Sequence, residues 1–326
     1  MKKALVMGIN GQDGSYLAEI LLEKGYEVHG LIRRTATGNT VNVKHIMDKL
    51  VLHYGDLTDP ISIYKAINKI RPSEIYNEAD QDHAGISFQI PAYNFDVTGT
   101  AVGRNLEIIR EIDKDIRYFQ PVTSNMFGQA TQSPQNEETP FNPQNPYACS
   151  KVFAWHLCRM YRKVYGMYVA IGIFYNHESP RRTSDYVTRK ITQSVARIKT
   201  NKQDKLILGD LSAKIDWGYA KEYMEAAWNI MQQKEADDFV IGTGEAHSVK
   251  EFVDEAFNIA GLDPEKYVES SKTFYRPATN SILVADASKA RKTFGFNPKI
   301  KFNKLVKLML EHDLKEQMEN QEKNRT

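Results

Sequence analysis

Ala4-Leu-Val-Met7-Gly8-Ile-Asn-Gly11-Gln-Asp-Gly14-Ser15-Tyr-Leu-Ala-Glu-Ile-Leu-Leu-Glu-Lys24-Gly25 is the stretch that decides the fold. A short apolar run, a turn with three spaced glycines and apolar residues at helical spacing read as strand, turn and helix, closed by Gly25. A second strand pattern, Glu27 to Ile32, follows directly. Glycines between a first strand and a helix let backbone N–H groups approach a pyrophosphate, where the helix dipole and the free donors favour an anion. Spaced glycines alone are a common turn; this position in the chain points to nucleotide binding. Gly8, Asn10, Gly11, Gln12, Asp13 and Gly14 are therefore cofactor-binding candidates. At the end of the second strand stand Arg33 and Arg34. An acidic residue there would hold a ribose 2′-OH, whereas arginine accommodates a 2′-phosphate, so the pair favours NADP(H) over NAD(H) and leaves the choice open.

The alternation continues outward from this unit. Leu50 to His53 reads as a strand leading to Gly55-Asp56-Leu57, where Asp56 and Leu57 are candidates for the adenine end of the cofactor. A helix from Pro60 to Ile70 and a strand from Glu74 to Asn77 come next. The strand end is unusually polar, Glu78-Ala-Asp80-Gln-Asp82-His83, and the carboxyl ends of strands in an open parallel sheet form the ligand crevice. A helix from about Val97 to Arg110 precedes the strand Arg117 to Val122, which delivers Thr123-Ser124-Asn125 to that crevice. After a proline-rich loop come Tyr147 and Lys151, four apart and so on one face of a helix. An ammonium and an oxidised nicotinamide ring both favour phenolate, which would lower the tyrosine pKa and make it a base for a sugar hydroxyl.

Repeated strands and helices of this kind imply an α/β fold, a Rossmann-type doubly wound parallel sheet. From Asp185 the texture changes to interleaved basic segments, including the helix Asp185 to Lys199 with Lys190, the strand Phe239 to Ile241, and Arg276 beside Pro277. These read as a smaller α/β substrate-binding lobe that supplies cations to an anionic substrate, with Arg276 the best single phosphate ligand. The expected organisation is a dinucleotide-binding domain over 1–175, a mainly substrate-binding lobe over 176–314 with some segments returning to the sheet, and a polar tail over 315–326.

Composition excludes several classes. The 326 residues carry 43 Lys and Arg against 41 Asp and Glu, a formal charge of +2, too balanced for the basic footprint of a nucleic-acid binder. Cys149 and Cys158, the two cysteines, have no metal-ligand spacing and make no disulfide framework, so no metal is expected and the cytoplasm is the simplest compartment. Ala4 to Met7 is too short for a signal-peptide core or a membrane span, and no membrane partner is expected.

The glycine turn, the Thr-Ser after a later strand and Y-x-x-x-K together resemble the extended short-chain dehydrogenase/reductase superfamily. Within it, Gly8 through Leu17, Leu52 through Asp59, Glu74 through Asn77, Asn176 through Arg182 and Val187 through Ile191 resemble the GDP-mannose 4,6-dehydratase family. The resemblance implies a GDP-sugar substrate oxidised at C4 by a tightly held NAD(H) or NADP(H), in the synthesis of surface-polysaccharide sugars. It implies Tyr147 as base, Lys151 orienting it and holding the nicotinamide ribose, and Thr123 bonding the C4 oxygen. Ser124, Asn176, Val187, Lys190, Lys214 and Arg276 are its implied substrate contacts, with Lys214 compensating for Ile215 where the family carries an arginine. In the family Thr-Ser is followed by a glutamate that removes the C5 proton; this chain has Asn125, which has no proton-accepting carboxylate. The reaction is expected to stop at the 4-keto sugar, which requires a second small molecule as hydride acceptor. Glu78, Asp80 and Asp82 stand where the family has uncharged residues; Asp80 and Asp82 are candidates for reading a longer polyol such as GDP-manno-heptose, and all three are candidates for a relocated base. The loop after Arg34 is shorter than in the family, which points to a homodimer rather than a tetramer.

Overall fold

The computed structural model describes residues 1–36, 38–271 and 282–323. The chain opens with β1 (Lys3–Met7), α1 (Gln12–Glu23) and β2 (Glu27–Ile32), then a 3-10 stretch at Val41–Lys49 and β3 (Leu50–Tyr54). Next come α2 (Pro60–Ile70), β4 (Glu74–Asn77), the short helices α3 (Ala84–Ser87) and α4 (Pro91–Asn94), a π-helical stretch Phe95–Thr100 and α5 (Ala101–Asp113). β5 (Arg117–Thr123), α6 (Pro146–Tyr165), β6 (Val169–Phe174), β7 (Asn176–Glu178), α7 (Val187–Lys199), β8 (Leu206–Leu208) and β9 (Lys214–Tyr219) follow. The last part holds α8 (Ala220–Met231), β10 (Asp238–Ile241), β11 (Ala246–Ser248), α9 (Val249–Ala260), α10 (Pro264–Tyr267), β12 (Val268–Ser270), α11 (Ser288–Phe294) and α12 (Phe302–Lys323).

Seven strands form one parallel sheet in the order β10-β6-β5-β4-β1-β2-β3. β4 and β6 are buried along their whole length, as strands covered on both faces must be, while the edge strand β3 is largely open. α1 and α8 cover one face with Leu17, Leu21, Met224 and Ala227; α2, α5 and α6 cover the other with Ile67, Leu106 and Cys158. The chain runs outward from β1 through β2 to β3, then returns to β4 on the other side of β1 and runs outward again. That reversal between β1 and β4 opens a crevice at the carboxyl ends of the strands.

The sequence reading assigned Phe239 to Ile241 to the smaller lobe. Instead, β10 pairs with β6 and extends the central sheet, because Asp238–Ile241 is buried on both sides, with α11 against it. The smaller lobe is built from α7, α9, α12 and the strands β8 and β9 around Val195, Phe252, Phe257, Leu305 and Met309. α12 carries Leu305, Val306, Met309 and Leu310 inward and continues to Lys323, so the polar run after 314 begins as helix. α9 is fixed at its start by a capping box: Ser248 accepts from the Glu251 amide and the Glu251 carboxylate accepts from the Ser248 amide.

Candidate active site

The glycine turn sits at the switch point. A Cβ on Gly8 (φ +76°) would lie 2.6 Å from the Glu78 carbonyl oxygen, and one on Gly14 would lie 2.3 Å from the Gly8 carbonyl oxygen. Both approaches are to backbone, so only glycine lets α1 start this close to β1 and β4. Gly11 is the N-cap of α1 and no side chain caps it, so its first-turn amides face the crevice as an anion cradle. The side chains of the turn have internal partners. Gln12 donates to the His177 carbonyl oxygen (3.1 Å) and accepts from Ser179 (2.8 Å), and Asp13 pairs with His177 Nε2 (2.9 Å). Burial opposes the charge on Asp13, yet His177 and Arg182 hold its carboxyl below the ordinary value; the same pairing raises His177 against its burial. Asn10 donates to the Asn39 carbonyl oxygen (2.6 Å). A pyrophosphate would thus meet backbone N–H groups rather than these side chains.

At the second strand end, Arg33 donates to the Tyr93 hydroxyl (2.8 Å) and Arg34 is exposed. Asp56 accepts from the amide and hydroxyl of Thr58 (2.9 and 2.8 Å) and Leu57 is buried behind it, its carbonyl accepting from Arg104. Burial acts to raise Asp56, but the Thr58 bonds and Arg33 bring its carboxyl below the ordinary value.

β5 and α6 bring Thr123, Tyr147 and Lys151, the catalytic candidates, together. Pro146 at the first helical position and the Asn145 side chain accepting from the Ala148 amide start α6, which points Tyr147 and Lys151 at the strand ends. Thr123, the last residue of β5, accepts at Oγ1 from the Asn125 backbone amide (3.2 Å) and from Asn125 Nδ2 (3.0 Å). Ser124 is buried in the 3-10 turn between them. The Lys151 ammonium lies 5.6 Å from the Tyr147 ring centre, donates to the Pro121 carbonyl oxygen (2.8 Å) and pairs with Asp80 (2.6 Å).

That last contact bears on one expectation. The sequence reading has Lys151 and an oxidised nicotinamide ring together lowering the Tyr147 pKa. In the structure the phenol is pushed well above its ordinary value, by burial first and then by the carboxylates of Asp80 and Asp82, against the smaller opposite pull of the Thr123 hydroxyl and Arg182. Asp80 and Asp82 also have protein partners: Asp80 holds Lys151 and Thr98, and Asp82 pairs with Arg182 (3.4 Å). Glu78 is different. Burial and the neighbouring Asp13 raise its carboxyl to about 8, and its Oε1 is buried with no hydrogen-bond partner among the described residues.

The remaining candidates among the described residues lie on β7 and on the smaller lobe. Asn176 opens β7, Val187 is half-buried at the start of α7, Lys190 donates to the Ile207 carbonyl oxygen (2.7 Å), and Lys214 is exposed at the start of β9. Arg276 lies outside the described residues. The sequence reading did not single out His177, Glu178, Arg182 and Tyr186, which line the same crevice. Arg182 stacks over the Tyr186 ring (3.4 Å) and pairs with Glu178 (3.5 Å) and Asp82. Two adjacent arginines after a Ser-Pro turn were the signal available for them.

A doubly wound parallel sheet whose switch-point crevice receives a glycine turn, a strand-end threonine and a helical Tyr-Lys pair is a Rossmann-type arrangement of the short-chain dehydrogenase/reductase kind. Solved structures share it. The UDP-glucose 4-epimerase of Thermus thermophilus in complex with NAD aligns with a TM-score of 0.83 at 24% identity, over 95% of this chain and 98% of that one. Bacillus anthracis dTDP-glucose 4,6-dehydratase in complex with NAD aligns with a TM-score of 0.83 at 21% identity, over 95% and 96%. The profile of the family described as GDP-mannose 4,6 dehydratase matches residues 5–309, and the chain belongs to that family. GDP-mannose 4,6 dehydratase 1 of Arabidopsis thaliana is 49% identical over 325 residues, 96% of this chain and 90% of that protein. The human GDP-mannose 4,6 dehydratase is 41% identical over 338 residues, 95% and 91% of the two chains, and that of Yersinia enterocolitica 40% over 352 residues, 97% and 95%.

Proposed function

We propose that this chain oxidises the C4 hydroxyl of a GDP-sugar, GDP-mannose or GDP-D-glycero-D-manno-heptose, to the 4-keto sugar without loss of water. The observation that carries the reading is at Asn125. Its amide donates to Thr123 Oγ1, so the Thr123 hydroxyl, which also faces the Tyr147 phenol, keeps its own proton as a donor for the C4 oxygen. A carboxamide in that position holds the threonine but cannot take a proton from C5, so the elimination that follows oxidation in a 4,6-dehydratase lacks its base.

The residues fit an NAD(P) cofactor: the uncapped start of α1 and the glycine turn, which a Cβ at Gly8 or Gly14 would fill, hold a pyrophosphate, with Arg33, Arg34, Asp56 and Leu57 at the adenosine end. When bound, NAD(P) would supply the acceptor for the hydride lost as the C4–H bond breaks. Tyr147 takes the proton of the C4 hydroxyl, so the sugar loses one hydride and one proton and gains a carbonyl. Lys151 orients this proton transfer, and Val187, Lys190 and Lys214 on the smaller lobe, together with Arg276, hold the nucleotide diphosphate. Without dehydration no hydride returns to the sugar in the same turnover, so a second small-molecule acceptor is needed to reoxidise the cofactor.

Glu78 supports a second reading, 4,6-dehydration with a relocated base. Its carboxyl is raised to about 8, within the range where an acid–base group works at neutral pH, and its Oε1 has no partner among the described residues. Asp80 and Asp82 are weaker candidates, because each is paired with a cation. The mass of the product decides: the 4-keto sugar keeps its C6 oxygen and accumulates with reduced cofactor, whereas dehydration removes one water and leaves the cofactor oxidised.

The homodimer is part of the same reading. Phe153, Met160 and Val164 lie on one face of α6, at spacings of seven and four, and are 49%, 37% and 64% exposed. Phe95 continues that apolar face from the π-helical stretch, since Gly99 packs directly against Phe153. An apolar stripe of this length is the kind of surface a second copy covers.

A further inference from the structure

The contact between Asp80 and Lys151 has no part in the proton transfer as described above, and it places a carboxylate on the one cation that this transfer uses. Asp80 follows β4 and Lys151 lies on α6, so the ion pair joins the two sides of the crevice. One Asp80 oxygen is 2.6 Å from the ammonium, and the other accepts from the Thr98 hydroxyl in the π-helical stretch and from the Gln81 amide (2.7 Å). Lys151 is held on its other side by the Pro121 carbonyl oxygen (2.8 Å). Both side chains are largely buried, at 4% exposure for Lys151 and 13% for Asp80, so water screens the pair weakly. The ammonium is thus 2.6 Å from a carboxylate and 5.6 Å from the centre of the ring it is supposed to activate.

We propose that Asp80 is a positioning residue that anchors Lys151 and offsets its charge, so that Tyr147 is kept as a phenol until the site is filled. The proposal rests on the reading of Tyr147 as the proton acceptor. Lys151 faces the phenol from its own helix, Asp80 and Asp82 from the segment after β4, and Arg182 and Tyr186 from the segment after β7. With Lys151 matched by Asp80 and Arg182 shared between Asp82 and Glu178, no cation is left unmatched among these groups. Burial together with the two aspartates keeps the proton on Tyr147. A positively charged nicotinamide ring would restore the missing cation, which ties base activation to occupancy by the oxidised cofactor. Such a site hands a proton to a keto sugar readily and takes one from a hydroxyl only at raised pH or with oxidised cofactor in place.

The test is the pH dependence of GDP-mannose-dependent cofactor reduction, for the chain loaded with its nicotinamide cofactor and for Asp80→Asn, with Asp80→Ala in reserve should the carboxamide fail to fold. Removing the carboxylate frees the ammonium to favour phenolate, so the midpoint of the activity rise moves down by about one pH unit or more. Asp80→Glu keeps the charge and holds the midpoint near that of the parent, which a merely structural role for the side chain would not require. A midpoint that stays in place in an active Asp80→Asn chain overturns the proposal and leaves the reading of function intact. If no GDP-sugar reduces the cofactor in either chain, the reading of function fails. The proposal is then decided by phenolate absorbance, taken as the difference between each chain and its Tyr147→Phe counterpart. Ionisation at lower pH in Asp80→Asn supports it, and an unchanged titration overturns it.

Discussion

In the proposed reaction, Asn125 and Tyr147 divide the chemistry between them. Asn125 holds Thr123 through its carboxamide, which is one methylene shorter than a glutamate side chain and has no carboxylate, so Asn125→Glu is expected to convert the 4-keto product into one lacking a water, read as product mass; retention of the C6 oxygen in that variant would remove the residue from the argument. Tyr147→Phe removes the proton acceptor and should lower kcat by about 10²–10⁴-fold, measured as cofactor reduction under saturating sugar. Glu78 gives a stability prediction with a definite sign. Its carboxyl titrates near 8 in the folded chain against an ordinary 4.5, so the folded state keeps a proton that the unfolded state sheds. Its contribution is fully present below the unfolded value and is lost as pH rises towards 8. The denaturation midpoint of the cofactor-free chain should therefore fall across that window, and Glu78→Gln should flatten the fall; an equal slope in the variant would show that other groups cause it.

Among the elements, the glycine turn leaves no room for an added side chain at Gly8 or Gly14. Gly14→Ala drives a Cβ to within 2.3 Å of the Gly8 carbonyl oxygen and 2.7 Å of the Ile9 Cα, so the turn must shift, and loss of cofactor binding by calorimetry is the expected result. Ser248→Ala, on the smaller lobe, removes one half of a capping box and should cost about 1 kcal/mol in chemical denaturation. The units with a local signature were legible in the sequence. The pattern of Ala4 to Gly25 gave strand, turn and helix, and Pro60 to Ile70 and Glu74 to Asn77 end where their spacing said. β10 was harder, because a short apolar run says that a strand is buried but not which sheet buries it. The Asp80–Lys151 pair is separated by 71 positions and depends on how β4 and α6 meet, which no local pattern carries. A Y-x-x-x-K spacing revealed the tyrosine and its lysine, but not the carboxylate that offsets the lysine.

For the whole molecule, the exposed stripe of Phe95, Phe153, Met160 and Val164 predicts a two-chain particle in solution. Phe153→Asp combined with Val164→Lys should shift sedimentation towards a single chain, whereas an unchanged profile would move the interface elsewhere. The two faces of the sheet and the smaller lobe have separate cores, and the crevice lies where the chain reverses between β1 and β4, so the glycine turn, the Tyr147–Lys151 helix and the smaller lobe are brought together from segments far apart in sequence. The central claim is that hydride leaves the sugar while water does not. It is tested most directly by incubating the purified chain with NAD(P) and GDP-mannose or GDP-manno-heptose, and recording product mass together with the absorbance of reduced nicotinamide. The account predicts a product lighter by two hydrogens, with its C6 oxygen retained and reduced cofactor formed in equal amount; a product lighter by one water with no net cofactor reduction would contradict it.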